Sequence, residues 1–392
     1  MLIGVPGLPA DATIAATAKL PLDLTDRVID FMHDDTATLR TCSLICRAFL
    51  RRSRYYRFRF VSLNQRTGES FERLLNTSPD VGVYVRDLHV SVSTFERYPT
   101  WVDDRLPRMV PKMPHVTLLH LKGNGEYRAA AFSNLTSVRE LCLTHCQMYS
   151  MNEFVSAVGS FPHVDVIRLR DVQIGMSQTL APVPPKLKKA PKVFEFSSSR
   201  LHGPPLVDWL ISNNLHGIES LTLVPLQRAA LDSIGKLVQH AGPAIKHLKI
   251  GMVTLKSDTA FAEDLRSLIG ISSLTNLESL EFSSPALYAE QYGADDLSFE
   301  WILAVVDDVS SSLEHLVFYL WSGDEEAVTG EDWVRMSDLL KESRFSSLKK
   351  ITFHVWGRPA SCEIIIETIK TTLTELNSRN ILHFDDDPDP EY

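Results

Sequence analysis

The feature that most constrains this chain is a short apolar pattern that recurs ten times between residues 80 and 355. Each copy has an apolar residue, two free positions, an aliphatic or Phe anchor, one free position and a second anchor. The copies are Val85-x-x-Leu88-x-Val90, Val116-x-x-Leu119-x-Leu121, Val138-x-x-Leu141-x-Leu143, Val164-x-x-Ile167-x-Leu169 and a weaker Phe194-x-Phe196. They continue as Ile218-x-x-Leu221-x-Leu223, Ile245-x-x-Leu248-x-Ile250, Leu277-x-x-Leu280-x-Phe282, Leu313-x-x-Leu316-x-Phe318 and Leu348-x-x-Ile351-x-Phe353. Their middle anchors lie 31, 22, 26, 27, 27, 27, 32, 36 and 35 residues apart. Anchors two apart describe a short strand with one buried face. Between them, apolar residues recur at helical spacing: Leu206, Trp209 and Leu210; Leu231, Ile234, Leu237 and Val238; Phe299, Leu303 and Val306. Segments Trp333–Leu340 and Ile364–Leu376 repeat the pattern. A unit this small cannot bury its apolar face alone, so successive units must stack. Stacking also explains the length. A chain of 392 residues exceeds one ordinary core, whereas an array grows by addition.

Strand and helix alternating at this period resemble the leucine-rich repeat in a loose form. Leu119-x-Leu121-x-x-Asn124 and Leu141-x-Leu143-x-x-Cys146 carry the Asn or Cys that follows the strand in that repeat, and the other copies lack it. The rival is an ordinary doubly wound α/β domain, which no Gly-rich phosphate turn supports. The expected fold is therefore α/β, with an irregular leucine-rich-repeat-like βα solenoid over residues 64–377. Parallel strands in such a solenoid line a concave face that usually binds partners. Strand alternation places there the side chains that flank the buried anchors. The wider row includes Cys142, Ser220, His247, His315 and Lys350. The residues expected to bind a target protein are His120, Glu140, Arg168, Arg170, Thr222, Lys249, Glu281, Val317 and Thr352, with basic points at Arg168, Arg170 and Lys249. Nothing in this row names the target.

Residues 20–63 break the repeat. Leu24, Val28, Phe31 and Met32 recur at helical spacing, Thr36 is placed to cap a second helix through Leu39, and a third apolar run covers Leu44 to Leu50. Three short helices bury little surface by themselves and need outside help to complete a core. The residues resemble the F-box, which docks receptor proteins onto the Skp-type adaptor of cullin–RING ubiquitin ligases. They run Leu20-Pro21-Leu22-Asp23-Leu24, Val28-Ile29, Phe31-Met32, Leu39 and Cys42-Ser43-Leu44-Ile45-Cys46-Arg47-Ala48-Phe49. Asp23 stands where the family has Glu and keeps the charge at a helix start. Phe49 stands where it has Trp and loses the indole N–H. The run from Ser53 to Leu63 and the degenerate repeats after it resemble F-box proteins of mushroom-forming fungi. The resemblance implies that Leu20, Pro21, Leu24, Val28, Ile29, Leu39, Leu44, Cys46 and Phe49 form or support an adaptor surface. It further implies that the chain is the substrate receptor of such a ligase. The alternative is a leucine-rich-repeat interaction scaffold with no ubiquitin role, its first helices sealing the solenoid's end.

Other signals point to less. The net charge of −9 and pI near 5.8 disfavour nucleic acid or anionic membrane as bulk partners. Six arginines from Arg47 to Arg59, interleaved with Tyr55, Tyr56 and Phe58, are better read as a surface covering a join between modules. The basic loop from Pro184 to Lys192 is read as solvated. Cys42-x3-Cys46 and Cys142-x2-His145-Cys146 lack the four-ligand pattern of structural zinc, so no metal or other cofactor is expected. No phosphate loop, nucleophile elbow or zinc-protease motif is present, and no enzyme is expected. Five thinly spread cysteines suit a reducing compartment, cytoplasmic or nuclear. Residues 1–19 are expected to be flexible and 378–392 to form an acidic tail.

Overall fold

The computed structural model describes residues 21–385 apart from 93–99, 124–131, 133, 149, 176–188, 198–202, 214–215, 227, 253–258, 284–298 and 322–329. Leu20, Asn124 and most of the 184–192 loop lie outside the described residues. The chain divides into two compact units after Phe60.

The first unit holds three helices, α1 (Leu22–Asp30), α2 (Thr36–Ile45) and α3 (Arg47–Arg59). Asp35, rather than Thr36, caps α2, its carboxylate accepting the Thr38 N–H at 2.9 Å. The sequence pattern places Leu44 and Ile45 in the third helix, but α2 runs on to Ile45. Cys46 then adopts an extended backbone (φ −159°, ψ 169°) and α3 begins at Arg47. This break turns α3 so that Phe49 and Tyr56 pack on the small core of Ile29, Leu39 and Cys42, with Met32 beside them.

The second unit is built on a twelve-stranded sheet. Its strands are β1 (Phe60–Leu63), β2 (Asp87–Ser91), β3 (Leu118–Lys122), β4 (Glu140–Thr144), β5 (Val166–Arg170) and β6 (Val193–Ser197). They continue as β7 (Ser220–Leu226), β8 (His247–Met252), β9 (Ser279–Phe282), β10 (His315–Trp321), β11 (Lys350–Trp356) and β12 (Leu382–Asp385). The strands follow one another in chain order, and β2 through β12 pair in parallel. The fold is thus a leucine-rich-repeat-like βα solenoid. Each of the ten patterns supplies one of the strands β2 to β11. β12 lies in the segment read as tail, where Phe384 adds one more anchor beside Phe353.

Two backbone devices hold the coils in step. The carbonyl just before each strand accepts two N–H groups from the next coil. Thr117 and Leu118 share Arg86 O, Arg139 and Glu140 share Thr117 O, and the pattern runs to Lys349 and Lys350 on Glu314 O, at 2.7–3.2 Å throughout. The side chains at this position alternate in sign from Arg139 through Asp165, Lys192, Glu219 and Lys246 to Glu278. Arg139–Asp165 (3.5 Å), Lys192–Glu219 (3.5 Å), Lys246–Glu278 (3.8 Å) and Lys349–Glu314 (2.7 Å) pair across neighbouring coils. Exposed pairs of this kind add little stability. The second device follows the strand. Gly123 (φ 106°), His145 (φ 53°) and Asp171 (φ 49°) occupy equivalent left-handed positions, and each N–H reaches a carbonyl of the next coil. Just beyond, the buried Cys146 thiol donates to Leu121 O of the preceding coil at 3.3 Å. This suits the expected post-strand role of Cys146.

The anchors form the core. Leu88, Leu119, Ile167, Leu221, Leu280, Leu316 and Ile351 are fully buried. At the second anchor, Phe282, Phe318, Phe353 and Phe384 stack in line with centroids 5.4, 5.2 and 5.2 Å apart. Trp301, from helix Glu300–Asp307, meets Phe282 edge-on at 5.6 Å. Trp333, from helix Gly330–Leu340, meets Phe318 and Phe353 edge-on at 5.4 and 5.6 Å. Phe318 touches partners on both sides of this stack. Phe318→Ala is therefore expected to cost about 3–5 kcal/mol in a denaturant titration. A loss under about 1 kcal/mol would show that the aromatic column is not a continuous part of the core.

Candidate functional site

The outward positions of the parallel strands lie in register. His89, His120, Cys142, Arg168, Glu195, Thr222, Lys249, Glu281, Val317, Thr352 and His383 make one row across eleven strands. Seven of the nine residues expected on the binding face share it: His120, Arg168, Thr222, Lys249, Glu281, Val317 and Thr352. Glu140 and Arg170 stand in the flanking rows, before and after. Thr352 is only 5% exposed and has little to offer a partner.

The basic points expected on this face are tied up within it. Arg168 bonds to Glu140, and its Nε lies 2.9 Å from Glu195. Arg170 Nε donates to the same Glu195 at 2.8 Å. Glu195 belongs to the weakest repeat and was not among the expected site residues. Its place between Arg168 and Thr222 in the row is the signal that would have found it. Lys249 Nζ lies 4.0 Å from the centroid of Tyr319, whose hydroxyl is 3.4 Å from Glu281. Tyr319 also stacks on His354 at 4.8 Å. The face thus presents charges that are paired side by side and so is no simple basic groove.

At its N-terminal end two imidazoles meet. His120 Nδ1 and His89 Nδ1 are 3.2 Å apart, and His120 Nε2 is 2.9 Å from the Thr144 hydroxyl. Partial burial first, then His89, Lys122 and Arg170, push the pKa of His120 down to about 4, and burial lowers that of His89. Both rings are therefore neutral at neutral pH. In the next repeat, burial pushes the Cys146 thiol up to about 12, which disfavours its thiolate form. Among the described residues no three His, Cys, Asp or Glu side chains converge as metal ligands. All five cysteines are unbridged, and no described helix is long and apolar enough to cross a membrane.

The first unit sorts the expected adaptor residues into two groups. Ile29 and Leu39 are fully buried and Phe49 packs against them, so these three belong to the unit's core. Pro21, Leu24, Val28, Leu44 and Cys46 are exposed. Other large apolar side chains are exposed as well: Leu22, Phe31 at 90% and Ile45 at 63%, with Leu44 itself at 82%. The underlying frame is polar. Arg52 Nε donates to Asp30 at 2.6 Å and the Tyr56 hydroxyl donates to it at 3.0 Å. The Arg52 bond holds the Asp30 carboxyl below its ordinary range.

No protein-family model matches the chain, and no curated protein matches it. Solved structures that it resembles include the leucine-rich repeat-containing protein LegL7 from Legionella pneumophila, at 14% identity and TM-score 0.42, over 80% of this chain and 89% of that one. TLR13, in a complex with single-stranded RNA, aligns at 15% identity and TM-score 0.36, over 77% of this chain and 39% of that one. An internalin, InlF, from Listeria monocytogenes aligns at 11% identity and TM-score 0.31, over 85% and 97%.

The depressed His120 fixes a sign for pH dependence. The unfolded chain binds a proton there near pH 6.5, while the folded chain does so only near 4. Between those values the unfolded state holds more protons, so this residue makes stability fall as pH drops. His120→Gln is expected to flatten the melting temperature between pH 6.5 and 4 relative to wild type. Parallel curves for the two proteins in that window would rule out His120 as the source.

Proposed function

We propose that this chain is a protein-interaction subunit with two working surfaces: the outward row of the solenoid, which holds a target protein, and the N-terminal helices, which dock onto a Skp-type adaptor. In this reading it is the substrate receptor of a cullin–RING ubiquitin ligase and speeds transfer by proximity rather than by chemistry of its own. The observation that carries the docking half is the exposure of Phe31, Leu44 and Ile45, together with that of Leu24 and Val28. A unit whose buried core is Ile29, Leu39 and Cys42 does not leave five large apolar side chains in water without cost. A partner that covers them returns about 1.5–3 kcal/mol for each one fully buried. A repeat-built interaction scaffold with no ubiquitin role is the second reading. The solenoid's row of paired charges and its Tyr319–His354 stack serve it equally well.

The test is a titration of the purified chain with a recombinant Skp-type adaptor, beside the double variant Leu24→Asp/Phe31→Asp. Both positions are exposed, so the variant is expected to keep wild-type circular dichroism and a stability within about 0.5 kcal/mol of wild type. Its affinity should fall on the order of 100-fold or more. A folded wild-type chain that fails to bind the adaptor leaves the scaffold reading in its place.

A further inference from the structure

The arginines of the first unit have no part in the function proposed above, and the structure separates them into two kinds. Arg52 is internal in its bonding, held by Asp30 and lying over the Tyr55 and Tyr56 rings at 5.2 and 5.1 Å. Arg40, Arg47 and Arg51 are exposed, and among the described residues no carboxylate pairs with any of them. Their places are specific. Arg40 sits one helical turn before Leu44 on α2, on the same face. Arg47 opens α3 directly after the extended Cys46, and Arg51 follows it one turn later. The exposed pair Leu44 and Ile45 is thus bracketed in the chain by three unneutralised guanidinium groups. Residues 21–60 hold eight Arg and no Lys against five Asp and no Glu, a net charge of +3 in a chain of −9.

An apolar centre with a charged, solvated rim is the anatomy of a protein interface. We infer that the adaptor surface covering Leu44 and Ile45 is an apolar groove with an acidic rim, and that Arg40, Arg47 and Arg51 steer it into place. The inference rests on the adaptor reading above and adds the chemistry of the partner. Single-stranded nucleic acid fits less well. It needs free aromatic faces for stacking. Tyr56 packs on the Ile29–Leu39–Cys42 core and bonds to Asp30, and Arg52 already lies over both tyrosine rings. A nucleic-acid site also gains nothing from Leu44 at 82% exposure. Exposed rim charges act mainly on the rate of encounter and are screened by salt.

The experiment measures association rates of the full chain with a recombinant Skp-type adaptor at low and high salt. It compares wild type with the triple variant Arg40→Ala/Arg47→Ala/Arg51→Ala, after circular dichroism has shown the same fold for both. The expected result is association slowed about tenfold or more at low salt, with the difference closing at high salt. If wild type binds and the variant associates as fast at every salt concentration, the acidic rim is wrong and the adaptor reading stands. If folded wild type does not bind the adaptor at all, both fall together. A labelled single-stranded RNA that binds wild type more tightly than the adaptor does, and is lost in the triple variant, would overturn the inference in favour of nucleic acid.

Discussion

Everything in the second unit depends on one shared backbone interaction. From β2 to β11, each coil hands the next a carbonyl just before its strand, and two successive N–H groups of the next coil close on it. The bond pair fixes where every strand starts. Once the start is fixed, period-two alternation decides the rest. Leu88, Leu119 and their equivalents fall on the inner face, and His89, His120 and their equivalents fall on the outer one. A slip of one residue would put His120 in the core and Leu121 in water. The alternating charges from Arg139 to Glu278 and the left-handed turns at Gly123, His145 and Asp171 reinforce the same register from both ends of the strand.

That register also explains why the outer face is not a plain basic groove. In-register strands bring side chains 25–28 residues apart into contact, so Arg168 and Arg170 meet Glu140 and Glu195 before any partner arrives. Toward the C-terminal end the same rule lays Tyr319 on His354 and Lys249 over Tyr319. The face therefore changes along its length: neutral imidazoles at one end, balanced charges in the middle and, at the other, the largely buried Tyr319 ring packed on His354. The first unit solves a different problem. Its core is too small to absorb its apolar residues, and what it cannot bury it displays, with arginines alongside.

Several features were legible in advance for a clear reason. Anchors two apart keep their meaning whatever surrounds them, because alternation is a property of extended backbone. So the ten strands, the inner and outer faces and the helices around Leu206, Leu231, Leu303 and Trp333 could be named from spacing. The weak copy Phe194-x-Phe196 still yielded its strand, β6, but not the role of Glu195, since that acid matters only through arginines on the neighbouring coil. The break at Cys46 was hidden for a similar reason. Leu44 to Leu50 is apolar enough to pass for one helix, and only the packing of Phe49 and Tyr56 requires the chain to turn there. His145 and Asp171 in the left-handed region are harder to read than a glycine, because His and Asp favour it only weakly among the many positions they can occupy.

By itself, then, the sequence determined that this chain must stack small βα units, which residues face inward, and that a separate helical module with an F-box-like pattern precedes them. These follow from periodicity, which is local. Only the tertiary structure decided which outward residues are already paired, that Ile29 and Leu39 are buried with Phe49 packed on them while Leu24, Val28, Phe31, Leu44 and Ile45 stay exposed, and that among the described residues no carboxylate pairs with Arg40, Arg47 or Arg51. Pairing and exposure are relations between residues far apart in the chain, and they take definite values only when the register of the coils and the turn at Cys46 have set the distances.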